Sequence, residues 1–116
     1  SMELWECGLS GTIPTELGSI STLMSLALSN NRLTGTIPTE LGRLKLMGLW
    51  LSANQLTGPI PSELGAMESS LVTLDLHNNT LSGEIPTELL ALSALRICGL
   101  ETNNFTGGLA PAICTV

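Results

Sequence analysis

The sequence has few aromatic residues, few charged residues and no long apolar run, and each shortage excludes a class of function. Aromatic residues make up 3% of the 116 residues and charged residues 12%. Ten Asp and Glu residues against four Lys and Arg residues leave a formal net charge of -6. Because no basic patch is available to displace counterions, nucleic acid and anionic membrane surfaces are excluded as partners. No apolar stretch approaches the roughly 20 residues that a transmembrane helix needs, which excludes direct membrane insertion of this fragment.

Groups that carry catalysis are equally scarce. The chain has a single histidine, His77, and no pattern that brings a nucleophile, a base and an orienting group together. Its glycines follow a regular spacing that differs from that of a phosphate-binding loop. Asp75, His77 and Glu101 offer nitrogen and oxygen donors, but their spacing is not that of a metal-binding motif. We therefore predict no enzymatic activity, no cofactor and no metal site.

Internal repetition is the feature that the chain has in abundance. Four Ile-Pro pairs follow one another at steps of 24, 23 and 25 residues, at Ile13-Pro14, Ile37-Pro38, Ile60-Pro61 and Ile85-Pro86. Each full unit reads L-x-x-L-x-L-x-x-N-x-L-(T/S)-G-x-I-P-x-E-L-G-x-L. A unit of this length cannot bury its own leucines, so neighbouring units stack and share one core. We expect a single domain over residues 1-116, made of a partial unit 4-22, full units 23-45, 46-70 and 71-94, and a degenerate C-terminal unit 95-116.

The positions within a unit predict its local structure. Leucines two residues apart, such as Leu26 and Leu28, point inward from a short strand, and the strands of successive units stack in parallel. An asparagine then marks the turn out of each strand, where its side-chain amide can satisfy backbone groups. This asparagine column comprises Cys7, Asn31, Asn54, Asn79 and Asn103. After each Ile-Pro pair we expect a short helical turn that a glycine ends. Leu90 replaces this glycine in the fourth unit, which predicts a longer helix there.

The L-(T/S)-G-x-I-P segment makes the chain similar to the plant-type leucine-rich repeat family, over essentially its whole length. The resemblance implies an α/β fold: a right-handed solenoid of about five coils, with a parallel concave sheet and short helical turns on the convex side. It also implies a receptor-like or secreted repeat protein at an extracellular or cell-surface location. Ectodomains of this type usually carry Cys-paired caps, and both ends here lack complete ones. We therefore expect truncated caps and an uncapped sheet edge prone to self-association.

Three cysteines cannot all pair within one chain, and the residues alone leave their pairing open. Cys98 takes an inward strand position equivalent to Leu26 and Leu74, which predicts a small buried hydrophobic side chain. Cys7 is expected to be a buried substitute for asparagine, because this column accepts cysteine. Cys114 is the candidate for a cap cysteine whose partner is missing.

Two further surface features follow from the repeat. The triplets at residues 78-80 and 104-106 are N-x-T sequons, so Asn78 and Asn104 are candidate glycosylation acceptors in a secreted protein. The glutamates of the Thr-Glu-Leu and Ser-Glu-Leu segments form a column on the convex side, which we interpret as a solvated face. This column comprises Glu16, Glu40, Glu63 and Glu88.

The outward strand positions hold the candidate binding residues, because the inward positions are fixed as leucine. The candidates on this concave face are Trp5, Ala27, Ser29, Trp50, Ser52, Asp75, His77 and Glu101. Both tryptophans fall on this face, and exposed tryptophan is enriched at binding hot spots. The small Ala27 and Ser29 form a floor between the tryptophans. Acidic residues make the C-terminal half of the face negative.

We therefore predict a module that recognises a protein or peptide ligand through the concave sheet, similar to receptor-like ectodomains. An extended segment that carries an apolar group and a cation would suit this face. Two alternatives stay open. Hydroxyls recur at one repeat spacing, at Ser10, Thr34, Thr57, Ser82 and Thr106, which would suit an ice- or polysaccharide-binding surface. The chain would also serve as a structural spacer in a larger surface protein.

Overall fold

Two short strands and one 3-10 helix recur in the same order along the chain. The computed structural model describes residues 1–108 and Cys114. The first strands of the successive coils are β1 (Met2–Glu3), β3 (Ser25–Ala27), β5 (Gly48–Trp50), β7 (Thr73–Asp75) and β9 (Ile97–Gly99). The second strands are β2 (Ser10–Thr12), β4 (Arg32–Gly35), β6 (Gln55–Gly58), β8 (Thr80–Glu84) and β10 (Asn104–Thr106). The 3-10 helices span Thr15–Ser19, Thr39–Arg43, Ser62–Met67 and Thr87–Ala91. The predicted leucine-rich-repeat solenoid, with a parallel sheet and short helical turns, is confirmed.

The first strands form one parallel sheet in the order β1-β3-β5-β7-β9. Repeat-equivalent residues are direct partners across this sheet, since Leu26 pairs with Leu49, Leu49 with Leu74 and Leu74 with Cys98. The three leucines have no exposed surface. Side chains alternate between the faces of a strand, so the residues on either side of each leucine face away from the core. This alternation creates the concave face of the solenoid.

A second parallel sheet, in the order β10-β8-β6-β4-β2, was not among the sequence-based expectations. Its signal is a short alternation around the (T/S)-Gly pair: Leu33 is buried while Thr34 is exposed, and Leu56 is buried while Thr57 is exposed. Strand partners in this sheet are not repeat-equivalent residues. Thr34 pairs with Gln55, which lies two residues before its repeat equivalent, Thr57. The hydroxyl column predicted from the repeat spacing therefore runs diagonally across this sheet.

The 3-10 helices pack against one another through glycines rather than ending at them. Gly18 lies inside the helix Thr15–Ser19, and a Cβ atom there would lie 2.5 Å from the backbone oxygen of Glu40 in the next coil. The glycine is thus needed for the close approach of two helices. The fourth helix, Thr87–Ala91, contains five residues, as the first does, so the longer helix predicted at Leu90 is wrong. Because glycine does not terminate the other helices, replacing it with Leu90 does not extend this one.

The asparagine side chains tie each coil to the one before it. The Asn79 amide oxygen accepts a hydrogen bond from the backbone N–H of Leu56 in the preceding coil, at 3.1 Å. Its amide nitrogen donates to the carbonyl of Leu51 in that coil at 3.0 Å and to the carbonyl of Leu76 in its own coil at 3.1 Å. Asn31, Asn54 and Asn103 make equivalent bonds. These side chains therefore replace the ladder bonds that the chain loses at each turn.

The residue before each member of the asparagine column, Cys7 included, adopts a left-handed backbone. Glu6, Asn30, Ala53, Asn78 and Thr102 have φ between 49° and 60°. This conformation is costly for residues other than glycine, asparagine and aspartate. Asparagine therefore suits this position, as at Asn30 and Asn78. The third coil has alanine there, at Ala53.

The cysteines differ from the expectations. Cys98 holds the inward register position and is partly buried against the core, but it forms a disulfide with Cys114, so it is not simply the small hydrophobic side chain that was predicted. Cys114 was expected to lack a partner, but Cys98 is its partner. Cys7 is exposed rather than buried, because no described residue packs on the outer side of the first coil. Its thiol nevertheless donates to the carbonyl of Trp5 two residues earlier, as Asn31 does to Ser29.

We predict that Asn79→Ala lowers the free energy of unfolding by about 2 to 4 kcal/mol, because it leaves buried backbone groups of two coils without partners. Asn78→Ala, one residue earlier, is the matched control. The Asn78 side chain is exposed and Ala53 adopts the same backbone conformation, so its loss is about 1 kcal/mol or less. Chemical denaturation measures both values. Equal losses at the two positions would contradict the role assigned to the asparagine column.

Candidate functional site

The concave face is formed by the outward side chains of β1, β3, β5, β7 and β9 and by the residues that follow these strands. Ala27, Trp50, Asp75 and Gly99 are successive direct partners across the sheet. Glu3 pairs with Ala27 at the N-terminal edge. Ala27, Trp50 and Asp75 therefore have neighbours set by the strand register. The other predicted binding residues lie two residues past a strand end: Trp5, Ser29, Ser52, His77 and Glu101.

The two tryptophans meet on this face although they belong to the first and third coils. The ring centroids of Trp5 and Trp50 are 6.0 Å apart and the ring planes are inclined by 55°. Tilted and offset aromatic pairs at this separation attract one another beyond simple area burial. The contact therefore joins two coils that are not neighbours in the sheet order. Trp5 keeps 44% of its surface exposed, so the pair presents an apolar patch to solvent.

The small residues of the concave face are not available to a ligand. Ala27 and Ser29 are each only 1% exposed and Ser52 only 4%, so their assignment as contact residues is corrected. The Ser29 and Ser52 hydroxyls lie 2.8 Å apart, and Ser29 Oγ accepts the backbone N–H of Ser52 at 3.1 Å. These two serines join neighbouring coils and satisfy one another. The alternation of strand positions alone did not reveal this burial.

Gly48 lets Trp50 lie flat along its own strand. A Cβ atom at Gly48 would lie 2.1 Å from the Cη2 atom and 2.2 Å from the Cζ3 atom of the Trp50 ring. Any other residue would displace the indole from this position. Gly48 is thus a site residue that the sequence did not indicate, because the repeat pattern sets no residue type at this outward strand position.

The C-terminal half of the concave face gathers its ionisable side chains over Gly99. His77 Nδ1 contacts Asp75 Oδ1, and the backbone N–H of His77 lies 3.5 Å from the same oxygen. A Cβ atom at Gly99 would lie 2.7 Å from Asp75 Oδ1, 3.4 Å from Glu101 Oε1 and 3.5 Å from His77 Nδ1. The missing side chain of Gly99 therefore lets the Asp75 carboxylate lie close against the strand. No three His, Cys, Asp or Glu residues within the described part of the chain are arranged to hold a metal ion.

All four basic residues of the chain lie outside the concave face. Arg32 is in β4 of the second sheet and Arg43 ends the second helix. Lys45 is exposed after that helix, while the Arg96 guanidinium donates to the carbonyls of Ser93 and Leu95. The concave face thus has carboxylates and one imidazole but no permanent cation, and its potential is negative.

The remaining surfaces offer fewer groups for recognition. The Glu63 backbone packs against Gly42 of the preceding helix, which places the acidic column on the helical side of the solenoid. Asn78 and Asn104 are both exposed, the first between β7 and β8 and the second in β10. Residues 1–108 contain no helix long and apolar enough to span a membrane.

A curved parallel sheet with a varied outer face defines the class of repeat proteins that present a surface to a partner. The sequence model of the Leucine Rich Repeat family matches residues 22–44, 45–67 and 70–92, which is more than half of the chain. The chain therefore belongs to the leucine-rich repeat family. No curated protein matches it significantly.

Solved plant structures resemble the chain closely. The BIR2 ectodomain from Arabidopsis thaliana is 43% identical with a TM-score of 0.86, over 90% of this chain and 55% of that one. The plant peptide hormone receptor RGFR1 in complex with RGF2 is 40% identical with a TM-score of 0.87, over 91% of this chain and 17% of that one. A plant ice-binding protein is 28% identical with a TM-score of 0.73, over 84% of this chain and 39% of that one. The chain thus spans about half or less of these structures.

We predict that Gly48→Ala displaces the Trp50 indole from the sheet, because the added methyl group would overlap the ring. The tryptophan emission should shift to longer wavelength as the ring gains exposure to water. Gly108→Ala is the control, since a Cβ atom there meets nothing within 4 Å. Unchanged emission in Gly48→Ala, with the fold intact by circular dichroism, would contradict the flat placement of the ring.

Proposed function

We propose that this chain is a recognition module that binds a protein or peptide partner through its concave face. The observation that supports the proposal is the pairing of Trp5 and Trp50 on the outside of a sheet whose inner face is all core. Exposed aromatic side chains are enriched where partners bind. RGFR1, one of the similar structures, is a peptide hormone receptor in complex with RGF2. This likeness supports a binding role for the present chain.

The concave face is a better candidate than the helical side. The helices approach so closely that glycine is required at their contacts, as at Gly18 and Gly42. Their exposed residues are repeated copies of one segment and offer little variety. The outward positions of the first sheet, in contrast, differ from coil to coil without disturbing the leucine core. Variety at fixed positions is what selective recognition of one ligand requires.

We further propose that the chain acts in the secretory pathway, at the cell surface or outside it. The Cys98–Cys114 disulfide is a bond that persists in oxidising compartments. Asn78 and Asn104 are exposed in N-x-T triplets, so both are accessible to glycan attachment there. A glycan on Asn78 would stand beside His77, at the margin of the concave face.

Ice binding is a second candidate, favoured by the similarity to a plant ice-binding protein and by the exposed hydroxyls of the second sheet. The sheet register argues against it. Thr34 pairs with Thr12 on one side but with Gln55 on the other, and Ser10 pairs with Arg32. Because hydroxyl and other side chains alternate across this sheet, the hydroxyls do not have the regular spacing that the sequence suggested. Thermal hysteresis of the pure protein separates this candidate from the first.

We predict that Trp50→Ala weakens binding of a protein or peptide partner by about 30-fold, equivalent to about 2 kcal/mol. The partner can be obtained by a pull-down with the immobilised protein and its affinity measured by calorimetry. Glu40→Ala, on the helical side, is the control and should leave the affinity within about twofold. The choice of surface is wrong if Glu40→Ala removes binding while Trp50→Ala, still folded, retains it.

A further inference from the structure

One flank of the solenoid, outside the concave face, carries most of the positive charge of the chain and two of its exposed large apolar side chains. We infer that this flank is a second docking surface, for a protein segment in which an apolar stripe is bordered by carboxylates. The surface is called the entry flank, because its residues lie where the chain enters the concave strands: Met24, Lys45, Met47, Val72 and Arg96. Since it is distinct from the concave face, the inference does not rest on the function proposed for that face.

The apolar part of the entry flank is a row with one residue in each coil. The backbone N–H of Met47 donates to the carbonyl of Met24 at 2.7 Å, and the N–H of Val72 donates to the carbonyl of Met47 at 2.8 Å. Arg96 continues the row, because its N–H donates to the carbonyl of Val72 at 2.8 Å. Neighbours in such a ladder are about 4.8 Å apart. The row from Met24 to Arg96 therefore runs for about 14 Å along the solenoid.

The two methionines of this row are turned to solvent. Met24 is 52% exposed and Met47 is 48% exposed, whereas Met67 is packed in the core and only 2% exposed. Single exposed apolar side chains are common on protein surfaces, but a contiguous apolar patch marks a contact site more often. Val72 is half-buried and extends the patch into the next coil. Methionine is flexible and polarisable, which suits it to contacts with a partner.

Basic side chains border the row, although the chain as a whole has a net charge of -6. Three of its four basic residues lie in or beside the loops that lead from the helices into the concave strands: Arg43, Lys45 and Arg96. Glu68 is the only acidic residue of these loops. Within the described ranges, none of the three cations forms an ion pair. The Arg96 guanidinium bonds two carbonyls of its own loop through Nη1 alone, so its other donors are free.

These cations determine the chemistry of the partner. Ammonium and guanidinium groups supply only donors, and carboxylates supply only acceptors. A segment with Asp or Glu beside its apolar side chains therefore matches the entry flank, while a basic segment is repelled. An anionic membrane has a similar chemistry, but three cations give little attraction to such a surface. The net negative charge of the chain opposes membrane binding further, so a protein segment is favoured.

The four methionines of the chain provide the readout for a test by methyl NMR. In protein labelled with carbon-13 at the methionine methyl groups, Met24 and Met47 report on the entry flank. Met67 in the core and Met2 in the first strand are internal references. The probe is an acetylated and amidated twelve-residue peptide with leucines at helical spacing and glutamates on both sides of them. Ten helical residues span about 15 Å, which matches the length of the row.

Matched peptides separate the two parts of the contact. One carries lysine in place of every glutamate, and another carries serine in place of every leucine. The glutamate peptide should shift the Met24 and Met47 methyl signals with one common, submillimolar dissociation constant and leave the Met67 signal in place. The lysine and serine peptides should bind at these two methyl groups at least about fivefold more weakly.

Variants of the protein locate the contact. Lys45→Gln should weaken the glutamate peptide by about threefold, as loss of an exposed ion pair does. Arg32→Gln is the matched control, because it removes the same charge from the second sheet and should leave the affinity unchanged. Trp50→Ala, on the concave face, should leave it unchanged as well.

Four results would overturn the inference: no shift of Met24 and Met47 at millimolar peptide, equal binding of the lysine peptide, equal affinity of Lys45→Gln and Arg32→Gln, or loss of binding in Trp50→Ala. Tighter binding of phosphatidylserine vesicles through the same two methyl groups would assign the flank to a membrane and overturn it too. The function proposed for the concave face is judged separately, by the effect of Trp50→Ala on a natural partner.

Discussion

The structure depends on one recurring interaction, the hydrogen bonding of an asparagine side chain between consecutive coils. Each coil must turn out of its strand, and a turn leaves backbone groups without ladder partners in a region where water is excluded. The Asn54 amide accepts from the N–H of Leu33 and donates to the carbonyl of Leu28 in the preceding coil, and it donates to the carbonyl of Leu51 in its own. Because one side chain satisfies groups in both coils, the stacking distance and the turn are set together. The core leucines can then align across the sheet without gaps.

This constraint also explains why the concave face is free to vary. The inward positions are leucines and the turn is fixed by asparagine, so the outward positions contribute little to holding the coils together, apart from the bonded pair Ser29 and Ser52. The face uses this freedom in two ways. Bulk is concentrated where Trp5 and Trp50 meet, next to the small Gly48, and negative charge is concentrated where the missing side chain of Gly99 lets the Asp75 carboxylate lie close to the strand. Small residues are thus as important to the shape of the face as the large residues that they support.

The sequence predicted the features that follow from the repeat period and missed those that depend on contacts between particular side chains. Leucines at a period of two and repeats of 23 to 25 residues predicted the strands, the coil number and the face on which each candidate side chain lies. The second sheet was missed because its alternation is brief and resembles a simple bend at glycine. The disulfide of Cys98 was missed because its partner stands 16 residues later, in a part of the degenerate last unit that no longer follows the repeat pattern. Burial of Ser29 was missed because its partner, Ser52, is in the next coil, which no local pattern records.

The central claim is that each asparagine holds the coil before its own, and backbone amide hydrogen exchange tests it most directly. The Leu33 N–H has Asn54 Oδ1 as its acceptor at 3.0 Å, so its protection should depend on a residue in the next coil. In Asn54→Ala the Leu33 amide should exchange much faster, while the Leu56 amide, which is bonded to Asn79, keeps most of its protection. Loss of protection at Leu56 with none at Leu33 would show that the asparagine supports its own coil instead, and would contradict the account.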